Sequence, residues 1–420
     1  MKNLNSGWTI EELCPQCGAP ITLQEQDHIF SCNFCKVRLY IISSGFLRYY
    51  IPPPKELNED IIYAPYWRFK GISFNYLKQG LKHRIMDTSL LATGHDLLPV
   101  SLGFRTQTQK LKFLSPELKG KFLKQKIPFN HIFSKIEQTK TRLPKKKEES
   151  SVFEQTFIGE TTSLIYAPFY LKNYKFYDAV LNSPVPEKSK INMPKSVPLE
   201  TIKRFNRSFL STLCPHCGWD LYGEKESCIL ICRNCNSVWK ASSSGFKKVK
   251  FEIFLISKDN IIYVPFWKIQ TNIADLNLQT YADLARIANI PKAANNNRDK
   301  EKLYFWAPAF KVAPNLFLRL SKQLTIAPFM GKTTNWPEIS EKYFFPATLP
   351  STEAFESIKV TLSQIVIDKK KICAILPNIK IDVQKYILCY LPFTIRANEI
   401  IQYHWRFSIN KNALKIGKNI

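Results

Sequence analysis

The chain is 420 residues long, more than one ordinary domain needs and enough for two or three. Hydrophobic residues make up 45% and charged residues 22%, a globular balance that excludes a disordered tail or a fibrous repeat. Lys and Arg number 60 against 34 Asp and Glu, and the net charge of +26 favours anionic partners: nucleic acid, an acidic protein or an anionic membrane face.

The first residues, MKNLNSGWTIEELCPQCGAP, contain no apolar core of a secretory signal. No run approaches the ~18–20 apolar residues of a membrane span, so no transmembrane segment is expected. The total of 11 cysteines is odd, and eight of them fall in CxxC pairs. A secreted disulfide scaffold would be shorter and usually even-numbered, so the expected setting is reducing and the expected location cytoplasmic.

The first motif is Cys14-Pro-Gln-Cys17-Gly18, then fourteen residues, then Cys32-Asn-Phe-Cys35. A CxxC knuckle turns two thiolates toward one ion, and Gly18 is expected to relieve the turn where a side chain would clash. Two knuckles supply the closed tetrahedral four-thiolate set of a structural zinc site. Strands are expected at Ile21–Leu23, His28–Ser31 and Val37–Ile42. Cys214, Cys217, Cys232 and Cys235 repeat the pattern with a shift of 200, and Gly218 repeats Gly18. Two structural Zn2+ ions per chain are therefore expected. Iron in a rubredoxin-like knuckle and a redox dithiol are the alternatives. The segments resemble zinc ribbons of transcription factors, polymerase subunits and uncharacterised bacterial proteins. The resemblance covers about 30 residues per half and names no family for the remainder.

The repetition continues beyond the cysteines. Ser43-Ser-Gly-Phe46 matches Ser243-Ser-Gly-Phe246, and Ile61–Trp67 matches Ile261–Trp267. Pro116, Leu118, Lys124 and Gln125 align with Pro314, Leu316, Lys322 and Gln323, and Tyr166–Phe169 aligns loosely with Tyr390–Phe393. The expected fold class is mainly β (α+β): two tandem repeats, each a four-cysteine ribbon followed by a β-rich module with one or two helices. The expected organisation is 1–50 first ribbon, 51–183 first module, 184–205 Pro-rich linker, 206–250 second ribbon and 251–420 second module. Polar stretches at Thr139–Ser151 and Lys292–Lys302 read as further loops.

An aromatic–small–Pro–aromatic pattern recurs at Tyr63–Trp67, Tyr166–Tyr170 and Tyr263–Trp267, with looser copies at Trp306–Phe310 and Tyr390–Phe393. β-branched and aromatic flanks predict strands, and proline predicts a strand start, edge or bulge. These aromatics read as sheet core, with a base-stacking platform as the alternative. Helices are predicted at Pro116–Lys126, Thr280–Ile290, Pro314–Thr325 and Ser351–Ile367, the last capped by Ser351 or Thr352. Cys228 reads as a ribbon strand residue, and Cys373 and Cys389 as core residues of apolar strands.

Residues 101–147 carry 13 basic against 2 acidic side chains. Arg105, Lys110, Lys112, Lys119, Lys121, Lys124 and Lys126 alternate there with Phe104, Leu111, Phe113 and Phe122, as suits a phosphate-tracking surface. Lys247 and Lys248 follow the second ribbon, and Arg319 and Lys322 are the expected counterparts of 101–126. Gly331-Lys-Thr-Thr lacks the first glycine of a phosphate-binding loop, because position 326 is Ile. His95-Asp96 reads as polar turn chemistry, with part of a site as the alternative, and no residue is assigned a catalytic role. The expected protein is non-enzymatic and binds nucleic acid, DNA or RNA, through basic surfaces. The alternative is a scaffold or assembly factor holding subunits of a larger complex, with an acidic protein partner and a possible peripheral membrane contact.

Overall fold

The computed structural model describes residues 8–43, 45–54, 57, 59–78, 80–94, 97–103, 109–129, 152–173, 175–186, 207–256, 260–289, 301–328, 331–334, 344–404 and 407–417. Arg105, His95, Asp96 and most of the expected linkers lie outside the described residues. The chain divides into two units. Unit 1 is Met1–Lys70, Asp87–Glu149 and Thr161–Ser211; unit 2 is Gly71–Met86, Ser150–Glu160 and Thr212–Ile420. The protein is mainly β.

Unit 1 draws on β1 (Thr9–Leu13), β2 (Pro20–Gln24), β3 (Ile29–Ser31), β4 (Arg38–Ser43), β5 (Leu47–Tyr50), β6 (Ile61–Leu77) and β7 (Gly80–Leu91). It continues with β8 (Lys110–Phe113), β9 (Lys121–Phe122), β10 (Val152–Lys172), β11 (Lys175–Asp178), β12 (Ser183–Pro184) and β13 (Arg207–Ser211). Strands β6, β7 and β10 also give residues to unit 2. The main sheet runs β12-β11-β10-β5-β8-β1-β2, and β6 pairs with β10, β7 and β9. A smaller sheet runs β13-β4-β3. Trp8, Tyr49, Tyr66, Phe113 and Phe169 belong to the buried core of this unit.

Unit 2 has β14 (Leu221–Tyr222), β15 (Ile229–Cys232), β16 (Ser237–Ser242), β17 (Gly245–Val249), β18 (Phe251–Phe254), β19 (Ile261–Asn272) and β20 (Tyr304–Pro308). Then come β21 (Thr333–Thr334), β22 (Asp382–Ile395), β23 (Glu399–Gln402) and β24 (Phe407–Asn410). A ribbon sheet runs β14-β15-β16-β17, and a larger sheet runs β20-β19-β22-β18-β21. Its helices are α1 (Tyr281–Ala288), α2 (Pro314–Ile326), α3 (Ser351–Ile365), α4 (Lys369–Ile375) and α5 (Lys411–Gly417). Thr280 and Asp283 close a capping box at α1, each side chain bonded to the other's backbone N–H. The cap of α3 is Pro350 rather than Ser351 or Thr352: Ser351 is already helical and buried.

The aromatic–proline segments are strands, and their rings are buried. Tyr63, Tyr66, Trp67, Tyr166, Tyr263, Trp267, Trp306 and Tyr390 are all core residues, so these rings are not available to stack on bases. Pro308 ends the edge strand β20, as expected, but Pro168 and Pro392 lie inside central strands. In β22, the parallel partner β18 ends opposite Tyr390, the antiparallel partner β23 begins opposite Thr394, and Pro392 occupies the gap. In β10, β5 ends opposite Tyr166, β11 begins opposite Phe169, and Pro168 occupies the gap. A residue without an N–H is tolerated in a central strand where no neighbour asks for one.

The two units share a set of internal contacts. In unit 1, the Trp67 indole donates to Ile127 O at 2.8 Å, and Tyr63 stacks on Phe122 at 4.9 Å. Ala92 N donates to Pro65 O, and Leu123 N to Tyr63 O, each at 2.9 Å. In unit 2, the Trp267 indole donates to Leu349 O at 2.9 Å, and Tyr263 stacks on Phe344 at 5.2 Å. Ala309 N donates to Pro265 O at 3.0 Å, and Phe345 N to Tyr263 O at 2.8 Å.

These contacts correct one expectation. Pro116–Lys126 is not a helix but a turn leading into β9. Phe122 stacks on Tyr63, and β9 pairs in parallel with β6, Ile62 opposite Lys121. Tertiary packing overrides local propensity there. The segment therefore is not the counterpart of α2; Phe122 and Phe344 are the equivalent rings. Cys389 is in β22, as expected, but Cys373 is on α4 rather than a strand, and both are buried.

Unit 1 also buries an ion network. Arg68 Nε lies 3.3 Å from Glu25 Oε1, with side-chain exposures of 3% and 1%, and a second nitrogen pairs with Asp87. Burial pushes the Glu25 carboxyl up, while Arg68 and then Lys70 pull it down. Removing one partner strands a buried charge. Glu25→Ala is expected to cost about 3–5 kcal/mol in denaturant unfolding. A loss below 1 kcal/mol would mean the network is not anchoring the unit.

In unit 2, Glu353 of α3 accepts from the backbone N–H groups of Gly159 and Glu160. Burial, reinforced by Glu353 and Glu356, pushes the Glu160 carboxyl up to about 8 against the pull of Lys311. The folded chain thus holds a proton that the unfolded chain releases, and stability falls as pH rises from about 4.5 to about 8. Glu160→Gln is expected to raise the melting midpoint at pH 8 by roughly 2–4 °C and to leave it nearly unchanged at pH 5. Equal shifts at both pH values would exclude the proton linkage.

Candidate metal centres

Each ribbon brings its four thiols together. In the first, β1 ends at Leu13 and the chain turns through Cys14–Cys17, with Gly18 N donating to Cys14 O at 2.8 Å. The second knuckle follows β3, with Lys36 N donating to Cys32 O at 3.0 Å. In the second ribbon Gly218 N donates to Cys214 O at 2.9 Å, and Cys232 closes β15. Gly18 and Gly218 stand at φ +72° and +74°, a left-handed turn that costs other residues roughly 1–2 kcal/mol. A Cβ at either would meet nothing within 4 Å. The glycines therefore serve the backbone torsion and not the relief of a clash.

The sulfurs of Cys14, Cys17, Cys32 and Cys35 lie within 4.8 Å of one another, and so do those of Cys214, Cys217, Cys232 and Cys235. Cys14–Cys35 and Cys17–Cys32 are 3.7 and 3.6 Å apart; Cys214–Cys235 and Cys217–Cys232 are 3.6 and 3.4 Å apart. Metal–sulfur bonds of about 2.3 Å in a tetrahedron separate sulfurs by about 3.8 Å. The residues fit two four-thiolate metal centres. All eleven cysteines are free of disulfides.

Each centre has thiols shifted toward deprotonation, Cys32 in the first and Cys214 and Cys217 in the second. Cys32 is lowered to about 6, first by the backbone N–H of Cys35. Cys217 is lowered to about 6, first by the Asn234 side chain. Since metal ligands bind as thiolates, each centre holds a ligand that ionises readily near neutrality. Cys228 lies outside the second centre: it donates to Ala347 O at 3.3 Å, and burial raises it to about 12.

The sequence pointed to the eight ligands through spacing alone. It did not reveal Ser237, whose hydroxyl lies 2.9 Å from Cys235 Sγ and 3.9 Å from Cys214 Sγ. A serine two residues past the last ligand carries no motif signal.

The basic residues are dispersed over several elements. Lys110 and Lys112 project from β8, whose Leu111 and Phe113 are buried; Lys110 pairs with Glu11 at 2.6 Å. Lys119, Lys124 and Lys126 are exposed, and exposed Lys121 pairs with Asp60 at 3.1 Å. In unit 2, Lys247 and Lys248 are exposed on β17. Arg319 and Lys322 are exposed on α2, where Arg319 donates to Ser408 O at 3.0 Å. No helix among the described residues is long and apolar enough to cross a membrane.

No protein-family model matches the chain, and neither a curated protein nor a solved structure gives a match.

The two centres are expected to bind two metal ions per chain, read by elemental analysis of the purified protein. Cys232→Ser is expected to leave one. Retention of two ions by that variant would mean that the second cluster is not a four-thiolate site.

Proposed function

We propose that the chain is a cytoplasmic, non-enzymatic protein built by internal duplication, with one structural Zn2+ in each ribbon, that binds nucleic acid through basic surfaces. The zinc reading is supported by the closed four-thiolate sets at tetrahedral spacing. Such a set leaves no coordination position for substrate, so the metal acts in folding rather than catalysis. The duplication is supported by the matched contacts of Trp67 and Trp267, Tyr63 and Tyr263, and Pro65 and Pro265.

The observation that carries nucleic-acid binding is the run of exposed Lys119, Lys121, Lys124 and Lys126 in a chain of charge +26. Phosphate contacts release counterions, and about six to ten of them give a slope of log K against log salt of roughly −5 to −9. Changing Lys119, Lys121 and Lys124 together to Glu is expected to weaken binding to single-stranded DNA or RNA and to flatten that slope. Binding that is salt-insensitive and unchanged in the triple variant would overturn the reading.

A scaffold role is the second reading, favoured by one observation. Leu13 and Phe34 beside the first centre, and Leu213 and Trp219 beside the second, are at least half exposed. Apolar side chains on rigid knuckles suit protein contact. Purification from the native host with and without nuclease separates the two: a stoichiometric protein that survives nuclease and moderate salt favours the scaffold.

A further inference from the structure

The two centres share their ligands but not the groups around the sulfurs. In the second ribbon Ser237 is buried, and its Oγ approaches Cys235 Sγ at 2.9 Å and Cys214 Sγ at 3.9 Å. The indole N–H of buried Trp239 donates to that same Oγ at 2.7 Å. An indole nitrogen only donates, so it occupies an oxygen lone pair and leaves the hydroxyl proton for sulfur. Asn234 adds a side-chain hydrogen bond to Cys217. With the shift of 200, the positions of Asn234, Ser237 and Trp239 are Phe34, Val37 and Leu39 in the first ribbon. None of those side chains carries a hydrogen-bonding group. The first ribbon also leaves Cys17 exposed, where Cys217 is half-buried.

A metal held by four thiolates leaves excess negative charge on sulfur. A donor aimed at sulfur stabilises that charge and fixes the ligand's orientation, and loss of such outer partners typically costs 10–100-fold in metal affinity. We infer that the centres are functionally unequal. The Trp239–Ser237 pair locks the second metal in place, and the first ribbon is the exchangeable site, emptied first when metal is scarce or a thiol reagent is present. This rests on the zinc reading above. It deepens that reading by assigning Ser237 and Trp239 as positioning residues of one centre only.

The test uses the full chain loaded with zinc. Two bound equivalents before the challenge secure the zinc reading independently of the release kinetics; fewer would count against that reading alone. Release into excess EDTA is followed by time, with N-ethylmaleimide trapping of freed thiols and peptide mass spectrometry to locate them. Two phases are expected, separated by about 10–100-fold, with Cys14, Cys17, Cys32 and Cys35 labelled in the fast one. Ser237→Val is expected to speed the slow phase about tenfold or more. Trp239→Phe, which keeps a ring but removes the N–H, is expected to speed it in the same direction. Val37→Ser, placed in the first ribbon, probes the converse and does not depend on the second ribbon tolerating change; it is expected to leave the slow phase alone. A single release phase, earlier labelling of the second ribbon, or a slow phase indifferent to both Ser237→Val and Trp239→Phe would overturn the inference.

Discussion

A proline in the middle of a central strand governs the β-rich part of both units. Pro168 and Pro392 cannot donate to a ladder, so the neighbouring strand must change at that point. The change is the same each time: a parallel partner ends two residues before the proline, and an antiparallel one begins one or two residues after it. The aromatic residues around the proline then need cover on both faces of the sheet. Tyr66 packs with Phe169, and Phe266 with Phe393, at centroid separations of 6.5 and 6.4 Å. Indole bonds from Trp67 and Trp267 to loop carbonyls tie down the segments that supply the cover. A buried indole N–H usually takes such an acceptor, and at Trp67 and Trp267 a loop carbonyl provides it.

How far the sequence reveals this depends on the range of the interaction. The metal ligands are legible because a knuckle is a local device: two cysteines, two residues between them and a turn. The aromatic–proline strands are legible for the same reason, and so is α1, whose capping box is contained in four residues. Pro116–Lys126 is misread because its conformation is set by Tyr63, far off in the chain. The proline gaps could not be placed without knowing which strands flank β10 and β22. Ser237 is visible as a letter but not as a partner of sulfur, since that role needs Trp239 to orient the hydroxyl.

Charge is distributed with similar economy. The carboxylates are few, and several are withdrawn from the surface: Glu25 is buried beside Arg68, and Glu353 caps backbone N–H groups of β10. Acids used inside no longer neutralise lysines outside. The reach of the exposed positive charge is set by salt. Lys110 and Lys121 retain acidic partners, whereas Lys119 and Lys124 lie beside no acidic residue in sequence.

The division into units does not follow the repeat in sequence. Gly71–Met86 and Ser150–Glu160 come from the first half yet belong to unit 2, and Arg207–Ser211, which leads into the second ribbon, pairs with β4 of unit 1. A cut near residue 200 would strip each unit of strands it uses. Each unit therefore draws strands from both halves of the chain. Deleting either half of the chain would remove strands from both units at once.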